Sequence, residues 1–195
     1  MRFTVLSGGK YRRQRCVVLS AETLLNALGR GPAKPGVSHG CPALVARLSR
    51  LADKGIQTVA LAHAADQCDP ALSCIRRPPA PSLRVVARSS SDSPNDDLSD
   101  AIQFIYCPEE SYAAGLAQWC IDRGWAFGAM VGIAGSPKDT DFSLECGCML
   151  ALRGSGYKAV SAADAVFPSL DDGGLEAAVE WIEMRFCAND PVDRD

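Results

Sequence analysis

Histidine is scarce in this sequence, and cysteines at metal-binding spacing are absent. The 195 residues include only two histidines, His39 and His63, and no two of the nine cysteines are separated by the two residues of a CxxC motif. Structural zinc usually takes four Cys or His ligands in paired clusters, so no zinc site is expected; Cys146-Gly-Cys148 comes nearest to one. The odd cysteine count, and a start without a signal-type apolar segment, predict free thiols in a reducing cytoplasm.

Long apolar runs and excess positive charge are also missing. No apolar run approaches the roughly 18 residues of a membrane span. A net charge of −3 and a pI near 5.4 give no electrostatic footprint for nucleic acid. The chain is 47% apolar and 22% charged, which fits one globular domain with a sizeable core. We therefore expect a cytoplasmic protein that binds neither membrane nor nucleic acid.

Short apolar runs alternate with helical patterns along the chain. Central strands are predicted at residues 16–20, 57–62, 102–106 and 130–134, with further strands at 149–152 and 165–168. Helices are predicted at residues 42–53, 109–123 and 175–185. This alternation predicts a three-layer α/β domain with a mainly parallel sheet.

The most informative stretch runs from Met130 to Cys148. An apolar run meets a Gly/Ser/Pro turn, and Asp139 and Asp141 follow it. Ligand sites in open α/β sheets lie at the carboxyl ends of strands. The two carboxylates are therefore candidates for holding a metal, or alternatively for capping a helix that begins near Phe142.

This stretch resembles the last motif of the haloacid dehalogenase (HAD) superfamily, and most closely its sucrose-phosphate phosphatase branch. That branch includes the C-terminal domain of sucrose-phosphate synthases. Its loop reads Gly-Asp/Glu-Ser-Gly-Asp-Thr-Asp, and residues 135–141 here read Gly-Ser-Pro-Lys-Asp-Thr-Asp. The resemblance implies a HAD-like (Rossmann-like) domain over residues 15–187, after a basic leader at 1–14 and before a tail at 188–195.

Several positions that the resemblance marks as catalytic have lost their chemistry. Ser20 stands at the nucleophilic aspartate, Glu22 at the general acid/base, Ala62 at the phosphate-binding hydroxyl and Ser136 at a metal carboxylate. Residues 111–115 lack the expected phosphate-neutralising base. A serine hydroxyl needs an adjacent base to attack, so Ser20 is predicted to be a strand-end hydroxyl that satisfies a turn amide.

The resemblance also implies a sugar-recognising cap between residues 64 and 101. That interval is irregular and rich in Pro, Ser and Asp, and it is too short for a cap of comparable size. The cap is therefore predicted to be reduced or absent.

Three functional hypotheses follow from the resemblance. The leading one is a non-catalytic HAD-like domain without a cofactor, which serves structure, regulation or assembly. Its expected partner is a glycosyltransferase of the sucrose-phosphate synthase type, or a second copy of the chain. The second is a divergent sugar-phosphate phosphatase in which Glu22, Asp139 and Asp141 hold Mg²⁺. The third is a module that binds a sugar or a phosphate without turnover.

Overall fold

The computed structural model describes residues 16–29, 42–63, 102–107 and 111–187. The basic leader at residues 1–14, the shortened cap interval at 64–101 and the tail at 188–195 lie outside these ranges. The predictions made for those three segments therefore remain predictions.

The described residues contain a six-stranded sheet in which every pairing is parallel. Its strands are β1 (Cys16–Ser20), β2 (Gln57–His63), β3 (Ile102–Cys107), β4 (Met130–Ala134), β5 (Cys148–Arg153) and β6 (Ala165–Ser169). Their spatial order is β3-β2-β1-β4-β5-β6. The parallel sheet and the predicted strands are confirmed. The inner strands read as unbroken apolar runs because helices cover both faces of a parallel sheet.

Six α-helices flank the sheet in the described part of the chain. They are α1 (Ala21–Ala27), α2 (Pro42–Asp53), α3 (Tyr112–Arg123), α4 (Thr140–Glu145), α5 (Tyr157–Ala162) and α6 (Gly174–Ile182). Helix α3 begins three residues later than predicted because Ser111 caps it, accepting a hydrogen bond from Ala114 N. Helix α6 ends at Ile182 and passes into a wider π-helical turn at Glu183–Cys187.

Alternate strand residues supply the two sides of the core. Val17 and Leu19 of β1 face the cluster that includes α1, α2 and α6, whereas Cys16 and Val18 face α3 and α4. Trp119 of α3 is only 2% exposed and meets Trp125 edge to face at 5.1 Å. Trp119 is therefore a core residue of this face.

Salt bridges connect α2 to α6 and to the π-helical turn that follows it. Arg47 Nη1 lies 2.7 Å from Glu183 Oε2, and Arg47 Nη2 lies 3.1 Å from Glu180 Oε2. Arg50 Nε donates to Glu183 Oε1 at 2.8 Å. Burial raises the pKa of Glu183, but the hydrogen bonds and charges of Arg50 and Arg47 outweigh it and leave that pKa below its ordinary value.

The strand order locates the crevice where a ligand is expected. Strands β2 and β3 lie on one side of β1, and β4, β5 and β6 lie on the other. The winding direction therefore reverses between β1 and β4, and open α/β sheets bind ligands at the carboxyl ends of the strands that flank such a reversal. Among the helices in the described ranges, none has the length and apolar character needed to cross a membrane.

Candidate functional site

Strand β1 ends at Ser20, whose hydroxyl starts helix α1. The backbone of Ser20 is extended, and its Oγ accepts a hydrogen bond from Thr23 N at 3.2 Å. This N-cap satisfies one of the amides that a helix start leaves without a partner. Ser20 thus satisfies a turn amide at the end of a strand, as predicted.

A hydrogen-bond chain runs from Ser20 to the loop after β4. Ser20 Oγ donates to Thr23 Oγ1 at 2.9 Å, and Thr23 Oγ1 donates to Asp139 Oδ2 at 3.0 Å. The three side chains belong to residues that are 1%, 2% and 0% exposed, respectively. They join the two strand ends at the winding reversal, although Thr23 and Asp139 are 116 residues apart in sequence.

Asp139 folds back onto its own loop instead of capping helix α4. Its Oδ2 accepts from Gly135 N at 2.9 Å and from Ser136 N at 2.8 Å, in addition to Thr23. Asp139 makes no side-chain cap to α4, but its carboxylate accepts from the backbone N–H of Ser136 and is part of a capping box on the 3-10 helix that precedes α4. The carboxylate thus closes the turn that contains this short 3-10 helix, Pro137–Asp139.

One buried oxygen of this loop, Asp139 Oδ1, has no hydrogen-bond partner. Burial raises the pKa of Asp139, while its polar neighbours Ser20, Ser136, Gly135 and Thr23 favour the charged form and oppose that rise. The loop therefore carries a carboxyl group in an environment that tolerates charge poorly.

Gly135 allows this arrangement because it has no side chain. A Cβ at this position would collide with Oγ1, Cγ2 and Cβ of Thr23. The β4 loop can therefore approach helix α1 closely enough for Thr23 to reach Asp139 only with glycine at position 135.

Glu22 and Lys138 lie at the rim of the cluster. Their charged groups are 3.9 Å apart, and both side chains are half or more exposed. Glu22 is therefore paired with a cation at the surface, and Lys138 places positive charge beside the loop. The family resemblance places its phosphate-neutralising base at residues 111–115, so the cation at Lys138 was not predicted.

Asp141 is engaged away from the Ser20–Thr23–Asp139 cluster. Its Oδ2 accepts from Ser111 Oγ at 3.0 Å and from Ala113 N at 3.5 Å, at the start of helix α3. Negative charge at a helix N-terminus is stabilising. Asp141 thus connects α4 to α3. Asp139 and Asp141 bind different groups and do not form a shared pair of carboxylates.

Ala62 lies at the end of β2 and offers no donor. It is fully buried and follows Leu61, the register partner of Ser20 on β1. His63 extends the strand one residue beyond the predicted 57–62 and stacks on Tyr112 with ring centroids 4.0 Å apart.

The residues present do not fit a magnesium ion. Across the described ranges no group of three or more His, Cys, Asp or Glu side chains could hold a metal. Mg²⁺ prefers carboxylates with several waters in near-octahedral geometry. Here the cluster's hydroxyls are committed to each other, and Asp139 Oδ1 is the one carboxylate oxygen without a partner.

Comparison of the structure with solved structures identifies the fold. A 3-deoxy-D-manno-octulosonate 8-phosphate phosphatase from Moraxella catarrhalis, solved with magnesium, phosphate and KDO, superposes with a TM-score of 0.60 at 11% identity, covering 92% of each chain. The cobalt-bound phosphatase of that kind from Haemophilus influenzae gives 0.59 at 13% identity, again over 92% of each chain. A putative HAD family hydrolase from Streptomyces avermitilis gives 0.60 at 14%, over 90% of each.

The chain therefore has the α/β fold of HAD superfamily hydrolases. No family model matches the sequence, and no curated protein matches it either.

Proposed function

We propose that this chain is a HAD-like domain without phosphatase activity, which serves a structural, regulatory or assembly role. The observation that carries the proposal is the closed hydrogen-bond chain from Ser20 through Thr23 to Asp139. At the position where the HAD resemblance requires an attacking carboxylate, the structure has a hydroxyl that caps a helix.

The neighbouring groups support the same conclusion. A serine becomes a nucleophile only beside a base that can take its proton. Ser20 Oγ hydrogen-bonds to Thr23 Oγ1, a hydroxyl, and also favours the charged form of Asp139, whose Oδ2 already accepts from three other donors. Phosphoryl transfer depends on positioning and charge neutralisation. The buried cluster contributes a single carboxylate and no cation to that task.

Purified protein with Mg²⁺ is expected to release no phosphate above background from sucrose 6-phosphate or from an aryl phosphate. The physical reason is the missing carboxylate nucleophile at Ser20. Phosphate release measured colorimetrically tests this, with an established HAD phosphatase as the positive control. Turnover that disappears in both Glu22→Ala and Asp139→Ala would contradict the proposal.

One observation favours the divergent phosphatase as a second candidate. Asp139 Oδ1 is buried without a partner, and a buried polar atom without a partner is a common feature of functional sites. Glu22 and Lys138 lie at the rim of the same crevice. In this candidate Asp139 would carry the charge that the site needs, and the same assay with the same two variants decides between the candidates.

The partner proposed for the domain is a glycosyltransferase of the sucrose-phosphate synthase type, or a second copy of this chain. The support is the resemblance of residues 135–141 to the C-terminal domain of those synthases. A domain released from catalysis has its remaining role on its surface, where interfaces form.

Light scattering after size exclusion is expected to show association, either of the chain alone or with such a glycosyltransferase. A stable complex needs an interface of about 1,000 Å² or more. A strict monomer that ignores the glycosyltransferase, yet binds a sugar or phosphate by calorimetry, would favour the ligand-binding module instead.

A further inference from the structure

We propose that the Ser20–Thr23–Asp139 chain is a metal-free hydrogen-bonded link between β1–α1 and the β4 loop, so this edge of the sheet neither needs nor responds to a divalent cation. This inference concerns what holds the carboxyl edge of the sheet together. It stands independently of whether the domain has a catalytic, regulatory or assembly role.

The first argument is how completely the hydroxyls are used. Ser20 Oγ accepts from Thr23 N and donates to Thr23 Oγ1, while Thr23 Oγ1 in turn donates to Asp139. Binding a cation at Ser20 would break the helix cap as well as the link to Thr23. Hydroxyls are in any case weak substitutes for the carboxylates that Mg²⁺ prefers.

The second argument is the saturation of Asp139 Oδ2. Three donors approach this oxygen at 2.8–3.0 Å: Ser136 N, Gly135 N and Thr23 Oγ1. Hydrogen bonds to a carboxylate favour its charged form, so these donors oppose, without a metal, the burial that raises the pKa of Asp139. Ser136, at the position of a metal carboxylate in the resemblance, contributes its amide to this set.

The third argument is the close fit of the two segments that the chain joins. A Cβ on Gly135 would overlap the Thr23 side chain, so loop and helix are already in contact. Oδ1 of Asp139 is the oxygen left over, and it is buried. Protein-bound Mg²⁺ usually keeps several of its waters. The surroundings of the buried Asp139 Oδ1 are too closely packed to hold them.

The stability of the fold is therefore expected to depend on the acceptor oxygen of Asp139 and not on its negative charge. In Asp139→Asn the amide oxygen can keep all three donors, and the amide nitrogen takes the place of the unpartnered Oδ1. A metal-held site predicts the opposite, because an amide binds Mg²⁺ much more weakly than a carboxylate. Asp139→Asn thus separates the two cases without changing the shape of the side chain.

Thermal unfolding of the full chain, in excess EDTA and in millimolar MgCl₂ or CoCl₂, tests the proposal. Wild type and Asp139→Asn are expected to melt within about 2 °C of each other in EDTA, and neither should respond to metal. Thr23→Val, which keeps the shape but removes the hydroxyl, should melt about 5 °C lower. Thr23→Ser restores the hydroxyl and should recover most of that loss.

Two results would overturn the proposal. One is a metal-dependent rise in the melting temperature of wild type that Asp139→Asn lacks, since a ligand at 100 times its dissociation constant stabilises by about 2.7 kcal/mol. The other is an Asp139→Asn variant as unstable in EDTA as Thr23→Val. If Thr23→Val does not fold, the comparison of wild type with Asp139→Asn decides alone.

The outcome is independent of phosphate release. A protein that hydrolyses phosphate esters, yet is insensitive to EDTA and metal in unfolding, would refute the proposed function and leave this inference intact. A protein that is stabilised by Mg²⁺ but is catalytically silent would do the reverse.

Discussion

Replacing Gly135 with alanine is expected to lower the free energy of unfolding by about 3 kcal/mol. The new Cβ would overlap the side chain of Thr23, which is buried and β-branched and therefore has few other rotamers. Either the β4 loop or helix α1 must move. Both movements stretch the hydrogen bond between Thr23 and Asp139 and leave a buried carboxylate with fewer donors.

Urea unfolding followed by circular dichroism measures this effect, with Gly128→Ala as the matched control. Gly128 lies in the 3-10 turn Phe127–Ala129 before β4, and a Cβ there would meet no atom within 4 Å. The control should stay within about 0.5 kcal/mol of wild type. A Gly135→Ala protein as stable as Gly128→Ala would show that the loop does not depend on its contact with Thr23.

The sheet could be predicted from the sequence because its central strands are buried on both faces. Residues 16–19 and 130–134 are continuous apolar runs, and strands β1 and β4 begin and end as predicted. Helix α2 likewise follows from its apolar spacing and the glycine after it. The local pattern of apolar residues was sufficient to predict these elements, because the residues that the fold buries are the apolar ones.

The start of helix α6 depends on a close backbone contact that the spacing of apolar residues does not reveal. A Cβ on Gly174 would collide with the carbonyl oxygen of Pro168 and lie close to that of Ser169. Glycine here allows the helix to begin against the end of β6, one residue before the predicted start. The apolar spacing alone predicted a helix start at residue 175, because this close contact leaves no mark on the local pattern.

The candidate site could be predicted only in part. Asp139 was predicted because it follows an apolar strand, and ligand sites lie at the carboxyl ends of such strands; Ser20 was predicted only through the family resemblance. Thr23 was missed, although its position three residues after a Ser N-cap brings the two groups within one helical turn. The hydrogen bond from Thr23 to Asp139 joins residues that are 116 positions apart, and a local sequence pattern cannot predict such a contact.

Asp141 shows the opposite limit. Its spacing from Asp139 suggested a shared metal, but helix α4 starts at Thr140 and the Asp141 carboxylate lies against the start of α3. The direction of a side chain at a helix start depends on the neighbouring helix, which spacing alone does not reveal.

Restoring a carboxylate at Ser20 is expected to destabilise the fold instead of restoring a site. Ser20→Asp would place a second carboxylate beside the Thr23–Asp139 pair, in a place where burial already raises the pKa of Asp139. Like charges in a buried site oppose each other's ionisation. Lys138 lies at the exposed rim and is already 3.9 Å from Glu22, so it offsets little of the added charge.

The matched control is Ser20→Asn, which has nearly the shape of Ser20→Asp, caps helices equally well and carries no charge. In EDTA at pH 7, Ser20→Asp should unfold with a free energy about 3 kcal/mol smaller than Ser20→Asn. The difference should shrink as the pH falls, because protonation of either carboxyl group removes the repulsion and the folded state raises the pKa of both. Chemical unfolding of the two variants across pH 4–7 measures it. If Ser20→Asp and Ser20→Asn are equally stable at pH 7, water reaches the cluster and screens its charges. The cluster would then line an open crevice and would not be a buried hydrogen-bonded link.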